Sequence, residues 1–316
     1  MSRQPRSSER SCSGAGRLII IALVTVLAGC SSNSTERAEQ STIADVAAKV
    51  AQAAAAVTGQ DAPMANDYEK GHYVGFDTHT YPGTTVMHTW KETPGSPYSW
   101  VGYYLPSPCH ANKSWTGKRD TLQAMGWGLA IIYVGQQTWG KTPRKLSLSQ
   151  LKALRRRTDC STDLISAGEG TRNADEAVAR ASGEGFANGV VIFLDIERME
   201  RVPPAMRDYY RAWAARMLAN GAYRPGIYAH QHNAQQIFDD VRDVFRAVGD
   251  TETPRMWIAG GKGFDIGRAP QDVGFAFAGV WQGVIDIARS IAEVRLPVDL
   301  NVASWASPSE SGVATQ

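Results

Sequence analysis

Between Gly71 and Ala303 short apolar runs alternate with amphipathic helical patterns, and this alternation limits the fold more than any other feature. Eight runs recur: Tyr73–Asp77, Trp100–Tyr104, Leu129–Val134, Val190–Asp195, Gly226–Ala229, Met256–Ala259, Gly279–Gln282 and Arg295–Leu300. Several lack a two-residue alternation, as strands buried on both faces do. The clearest helix carries Met206, Tyr209, Tyr210, Trp213 and Met217, opened by Pro203-Pro204 and stopped by Asn220-Gly221. A second carries Ile237, Phe238, Val241, Val244, Phe245 and Val248, followed by Gly249. Eight strands alternating with helices predict an α/β fold, a (β/α)8 TIM-barrel-like single domain over residues 71–305. A doubly wound open sheet is the alternative. The last two units lack a convincing helix, so irregularity is expected there, and Gly135–Gly170 reads as a long insertion in the third unit.

The N-terminal residues read as an export signal. Arg3, Arg6, Arg10 and Arg17 precede an apolar run, Leu18 to Ala28, too short for a permanent membrane span. The run ends Leu27-Ala28-Gly29-Cys30, which resembles the lipobox of bacterial lipoproteins. That resemblance implies cleavage after residue 29, a diacylated Cys30 as mature N-terminus, and an extracytoplasmic, membrane-anchored protein. Residues 30–70, rich in Ser, Ala and Gln, read as a tether, and 306–316 as a flexible tail. Of the 4 cysteines, Cys12 leaves with the signal and Cys30 carries lipid. Cys109 and Cys160 remain, and in an oxidising compartment one pair reads as a disulfide.

Charge and motifs exclude several functions. The formal charge of +2 includes the leader. Its loss removes four Arg and one Glu, leaving 29 basic and 30 acidic side chains, a net charge of −1. A near-neutral domain offers no electrostatic case for nucleic acid. No Gly-x-Gly-x-x-Gly follows a strand and no phosphate loop occurs, so no cofactor is expected. The absence of Gly-x-Ser-x-Gly lowers esterase readings.

In such a barrel, chemistry gathers at the C-terminal ends of strands. The first run ends in Asp77, the fourth in Asp195-Ile196-Glu197, the fifth carries Tyr228 before His230, and the eighth holds Asp299. Residues i and i+2 of a strand point the same way, so Asp195 and Glu197 face the barrel axis about 6.6 Å apart at Cα. Clustered carboxylates resist joint ionisation, so one can keep a proton near neutral pH. Glycosidic cleavage needs that arrangement: an acid for the leaving oxygen and a carboxylate for the oxocarbenium-like centre. An ion-pair network with Arg198 or Arg201 is the competing explanation.

Gly-Phe-Asp on the first strand, Leu-Asp-Ile-Glu on the fourth, Gly-Ile-Tyr on the fifth, Trp-Gln on the seventh and Val-Asp-Leu-Asn on the eighth together resemble bacterial glycoside-hydrolase-like barrels. These in turn are similar to family 25 lysozymes. The resemblance spans Gly71 to Ala303. It implies that Glu197 is the proton-donating Glu, Asp195 its partner, and Asp77 and Asp299 further acidic residues of the site. It also implies substrate binding by Tyr228, Trp257, Trp281 and Gln282, with the two indoles as flat platforms for sugar C–H faces. The sequence departs from family 25 in Thr78-His79-Thr80 and in the third-unit insertion.

The partner so implied is a cell-wall or envelope polysaccharide, and the activity a lysozyme-like glycoside hydrolase. A catalytically silent carbohydrate-binding barrel is the alternative. A metal-dependent hydrolase built on Asp77 and His79, or on His230 and His232, is a weaker third reading, because no metal-hydrolase motif such as His-Glu-x-x-His occurs.

Overall fold

The computed structural model describes residues 71–310. They contain a closed barrel of eight strands in the order β1 to β8. β1 (Tyr73–Asp77), β2 (Tyr98–Tyr104), β3 (Gly128–Val134), β4 (Val191–Ile196), β5 (Arg224–His230), β6 (Arg255–Ala259) and β7 (Ala278–Ile291) pair in parallel, each with the next. Between them run α1 (Thr84–Glu92), α2 (Arg119–Ala124), α3 (Leu148–Arg155), α4 (Ala167–Gly183), α5 (Pro204–Asn220) and α6 (Gln231–Ala247). All eight apolar runs of the sequence are strands.

The eighth strand departs from the expected repeat. β8 (Val294–Ala303) is antiparallel to both β7 and β1. A parallel return needs a connection of about a dozen residues or more. Here β7 and β8 are joined by Ala292 and Glu293, with Ala292 at φ 50°. The chain can therefore only double back as a hairpin. Beyond the Asp77–Asp299 pair, β8 has no partner on β1, and the hairpin continues past the rim to the Ile291–Val294 pair.

Apolar side chains form two layers. Trp100, Ile132, Val191, Phe193, Trp257 and Val280 fill the barrel interior. A larger layer lies between the strands and the helices. On α5 it buries Met206, Tyr209, Tyr210, Trp213 and Met217, and the left-handed Gly221 ends the helix by donating its N–H to the Met217 carbonyl. On α6 it buries Ile237, Phe238, Val241, Val244 and Phe245. Val248, expected on that face, falls past the helix end and is exposed. In the interior, Gly75 makes room for Trp100: a Cβ there would lie 2.2 Å from the indole ring.

The third-unit insertion carries α3 and Cys160, which a disulfide ties to Cys109 in the segment after β2, with Cα atoms 4.9 Å apart. The expected flexible tail is corrected over its described part, 306–310. Ser307 and Ser309 accept the Leu129 and Ile131 N–H groups, and the Ser309 carbonyl accepts the Val191 N–H. Arg255 donates to the Pro308 and Glu310 carbonyls. These bonds satisfy the lower ends of β3 and β4, so Ser309 is 1% exposed. The leader, Cys30, the tether and residues 311–316 lie outside the described residues.

Candidate active site

The Leu-Asp-Ile-Glu segment ends β4 at the barrel mouth. Asp195 pairs in register with Val134 on β3 and Tyr228 on β5. Glu197 stands just past the strand with solvent access. The buried amide of Gln137 holds both positions from the loop after β3. Its Nε2 donates to the Asp195 carbonyl at 2.8 Å, and the Glu197 N–H donates to its Oε1 at 3.0 Å. This bridge fixes the backbone between the two carboxylates.

Asp77 ends β1 opposite Asp299 of the reversed β8. It is 3% exposed and accepts from three side chains: Tyr104 OH at 2.7 Å, Asn301 Nδ2 at 2.8 Å and Gln282 Nε2 at 3.1 Å. Gln282 Nε2 also donates to Asp299 Oδ2 at 3.2 Å, and its Oε1 accepts from Tyr228 OH at 2.6 Å. Asp299 Oδ1 accepts the N–H of Asp286, a left-handed residue (φ 52°) in the β7 bulge. Asp195 differs: its Oδ1 is buried with no hydrogen-bond partner among the described residues.

Burial raises all four carboxyl groups. Asp195 is held well above the usual carboxylate range by loss of water, then by the charges of Glu197 and Asp77. Asp77 is raised by burial against the pull of its three donors, with Glu197 adding repulsion. Asp299 is pushed up to about 7 by burial and then by Asp77. Glu197 is raised by the walls around it and by Asp299. The resemblance assigned the proton-donating role to Glu197. Desolvation is the leading cause of the rise at all four positions, Glu197 included. Tyr104 and Tyr228 are pushed well up, chiefly by burial, and remain neutral donors.

The two tryptophans are not platforms. Trp257 is 1% exposed in the barrel interior, edge-on to Trp100 and Phe193, with its Nε1 donating to Asn301 Oδ1 at 3.0 Å. Trp281 lies between Val280 and Gln282, which point inward, and so faces the outer layer. There it is fully buried against Phe264 and donates to the Gly260 carbonyl. Trp257 thus supports the polar network from below, and Trp281 has no part in the mouth.

Tyr104, Gln137 and Asn301 are site residues that the sequence did not mark. Asn301 had a signal, since it sits two residues from Asp299 and so on the same face. Tyr104 had a weaker one as the last residue of β2. Tyr104 also stacks on His110 at 4.6 Å, and His110 packs against His79 at 4.3 Å. His230 accepts the His232 N–H at the start of α6. Among the described residues no three His, Cys, Asp or Glu side chains are grouped to hold a metal ion. Arg198 pairs with Glu200, not with Asp195 or Glu197.

An eight-stranded barrel with acidic residues from β1, β4 and β8 at one mouth defines a glycoside-hydrolase-like barrel. The model of the Rv2525c-like, glycoside hydrolase-like domain matches residues 88–269, more than half of the chain, and the chain belongs to that family. Asp195, Glu197 and Tyr228 fall within the matched residues, whereas Asp77, Gln282 and Asp299 flank them. Similar solved structures include an uncharacterized B. stearothermophilus protein, 18% identical over 73% of this chain and 95% of that one, TM-score 0.46. The Clostridium perfringens spore cortex lytic enzyme SleM is 12% identical over 73% and 67%, TM-score 0.45. The Mycobacterium tuberculosis Tat-secreted protein Rv2525c, in complex with L-tartrate, is 17% identical over 74% and 95%, TM-score 0.41. No curated protein matches the sequence.

Proposed function

We propose that the acidic mouth cleaves glycosidic bonds of a cell-wall or envelope polysaccharide, in a protein anchored outside the cytoplasm through lipid on Cys30. The observation that carries this reading is a solvent-accessible Glu197 just past β4, two residues from a half-buried Asp195 whose Oδ1 lacks a partner among the described residues. Glu197 can meet a leaving-group oxygen, and desolvation makes it hold its proton to higher pH than a free Glu. Asp195 is poorly suited to act as a fixed negative charge, because desolvation and then the charges of Glu197 and Asp77 disfavour its ionised form. Its carboxyl, only partly buried at the mouth, is suited instead to accept the N–H of a substrate acetamido group, whose carbonyl oxygen then acts as internal nucleophile at the anomeric carbon. Substrate-assisted cleavage of this kind is a known exception to the two-carboxylate scheme. Asp77 and Asp299, tied through Gln282, would form the polar wall facing sugar hydroxyls.

The test is release of soluble glycan from purified cell envelope. Glu197→Gln keeps shape but removes the transferable proton, so release should fall by about two to four orders of magnitude. Equal release by both proteins would refute the acid role, and none from either would favour the silent binding barrel. Anchoring is tested separately by mass spectrometry of the mature N-terminus, which should begin at a lipidated Cys30. An intact Met1 would refute it.

A further inference from the structure

The loop after β3 contains a side chain that its local backbone does not favour. Thr138, Trp139, Gly140 and Lys141 make a tight turn closed by the Lys141 N–H on the Thr138 carbonyl at 2.8 Å. Both central residues are left-handed, Trp139 at φ 43° and Gly140 at φ 73°. Such a turn prefers Asn-Gly or Asp-Gly, and a bulky aromatic at positive φ is strained there. The indole gains no core burial in return, since Trp139 is 55% exposed at the turn's apex. Neither local preference nor packing accounts for tryptophan at this position, and strain of that kind points toward function.

The turn is also rigidly mounted beside the mouth. Thr162 Oγ1 donates to the carbonyls of both Gln137 and Thr138. Gln136 bonds the Asp159 carbonyl and the Ser161 N–H, gripping the segment that carries Cys160. Gln137, two residues before Trp139, is the bridge across Asp195 and Glu197. Next to the indole opens a cleft of about 490 Å³ lined by Lys141, Thr142, Arg144, Thr162 and Asp163. One wall is therefore an exposed aromatic face and the others are hydroxyl and charged groups. A pyranose ring, apolar on its C–H face and polar at its edge, matches that mixture.

We propose that Trp139 and this cleft form a sugar subsite that holds the glycan strand beside the β4 carboxylates. The inference rests on the glycan reading above and assigns a binding residue that the family match did not supply. Purified peptidoglycan sacculi are the probe, with co-sedimentation in the cold for wild type, Trp139→Asn and Trp139→Tyr. Asn suits the left-handed turn, so Trp139→Asn should melt at or above the wild-type temperature while binding about tenfold more weakly. Tyr should retain most of the binding. Trp139→Asn that pellets as well as wild type overturns the subsite and leaves the glycan reading intact. Loss of binding accompanied by a lower melting temperature also overturns it, assigning Trp139 a structural role. Wild type that fails to pellet at all removes both.

Discussion

Gln282 joins Asp77 to Asp299 with a single amide nitrogen, at 3.1 Å and 3.2 Å, where β1 meets the strand that runs against it. Two carboxyl groups that would repel when ionised are held by one donor between them. Replacing Gln282 with Leu should leave Asp77, Asp299 and Tyr228 each short of a partner. We expect a loss of about 1–3 kcal/mol in denaturant unfolding, the usual cost of orphaned buried polar groups. Stability equal to wild type would mean the bridge contributes nothing.

The raised carboxyl groups make stability depend on pH. Asp299 is held at about 7 when folded, against 3.8 as its ordinary value. Between those limits the native protein keeps a proton that the unfolded chain has released. Its contribution is fully present below about 4 and is lost as pH rises through about 7. His110, lowered to about 4 by burial and then by His79, acts in the opposite sense between about 4 and 6.5. The difference between wild type and Asp299→Asn isolates the carboxyl. Asp299→Asn should gain in relative stability as pH is raised from 5 to 7.5, and parallel profiles would refute the shift.

Cys109 and Cys160 close a loop across a sequence separation of 51. On the chain-entropy model such a link stabilises by about 4 kcal/mol. The double Cys→Ser variant should lose stability of that order in urea. Wild type with reductant should approach the variant's curve. Unchanged stability in both would show the link to be dispensable.

Gly75 has a steric rather than a conformational role. Gly75→Ala would drive its methyl group into Trp100, whose Nε1 donates to the Tyr73 carbonyl. We expect at least about 1–3 kcal/mol of destabilisation from overpacking the barrel interior. A melting temperature equal to wild type would contradict the tight fit.

Much of the barrel is legible in sequence because strands covered on both sides must be apolar throughout, and such runs stand out against helical periodicity. Strand direction carries no such mark. The apolar content of Arg295–Leu300 is the same whichever way it runs, and only the shortness of the link after β7 reveals the reversal. Asp77, Asp195 and Glu197 were readable because each lies at or just past a strand end, whereas Asp299 lies mid-strand in β8 and meets the rim where the reversed strand passes Asp77. The tryptophans were misread for two different reasons. Trp281 and Gln282 are neighbours on one strand and so cannot both face the mouth, a constraint already present in the two-residue period. Trp257 does point inward, but its depth depends on how β6 aligns with β5 and β7, which no local pattern encodes. Gln137 acts from an irregular loop and had no periodic signal.

The hairpin that closes the barrel has a further consequence for when the site comes into being. Asn301 donates to Asp77 across 224 residues of chain. During synthesis β1 emerges first and its last neighbour close to last, so Asp77 must wait, without two of its three donors, until nearly the whole domain has been made. Contacts so distant in sequence carry the largest loop-closure cost and form late. The parallel strands could begin to associate earlier, but the acidic mouth would be incomplete. Chemistry and closure are therefore a single folding event, and a chain that has not finished folding cannot present the assembled site.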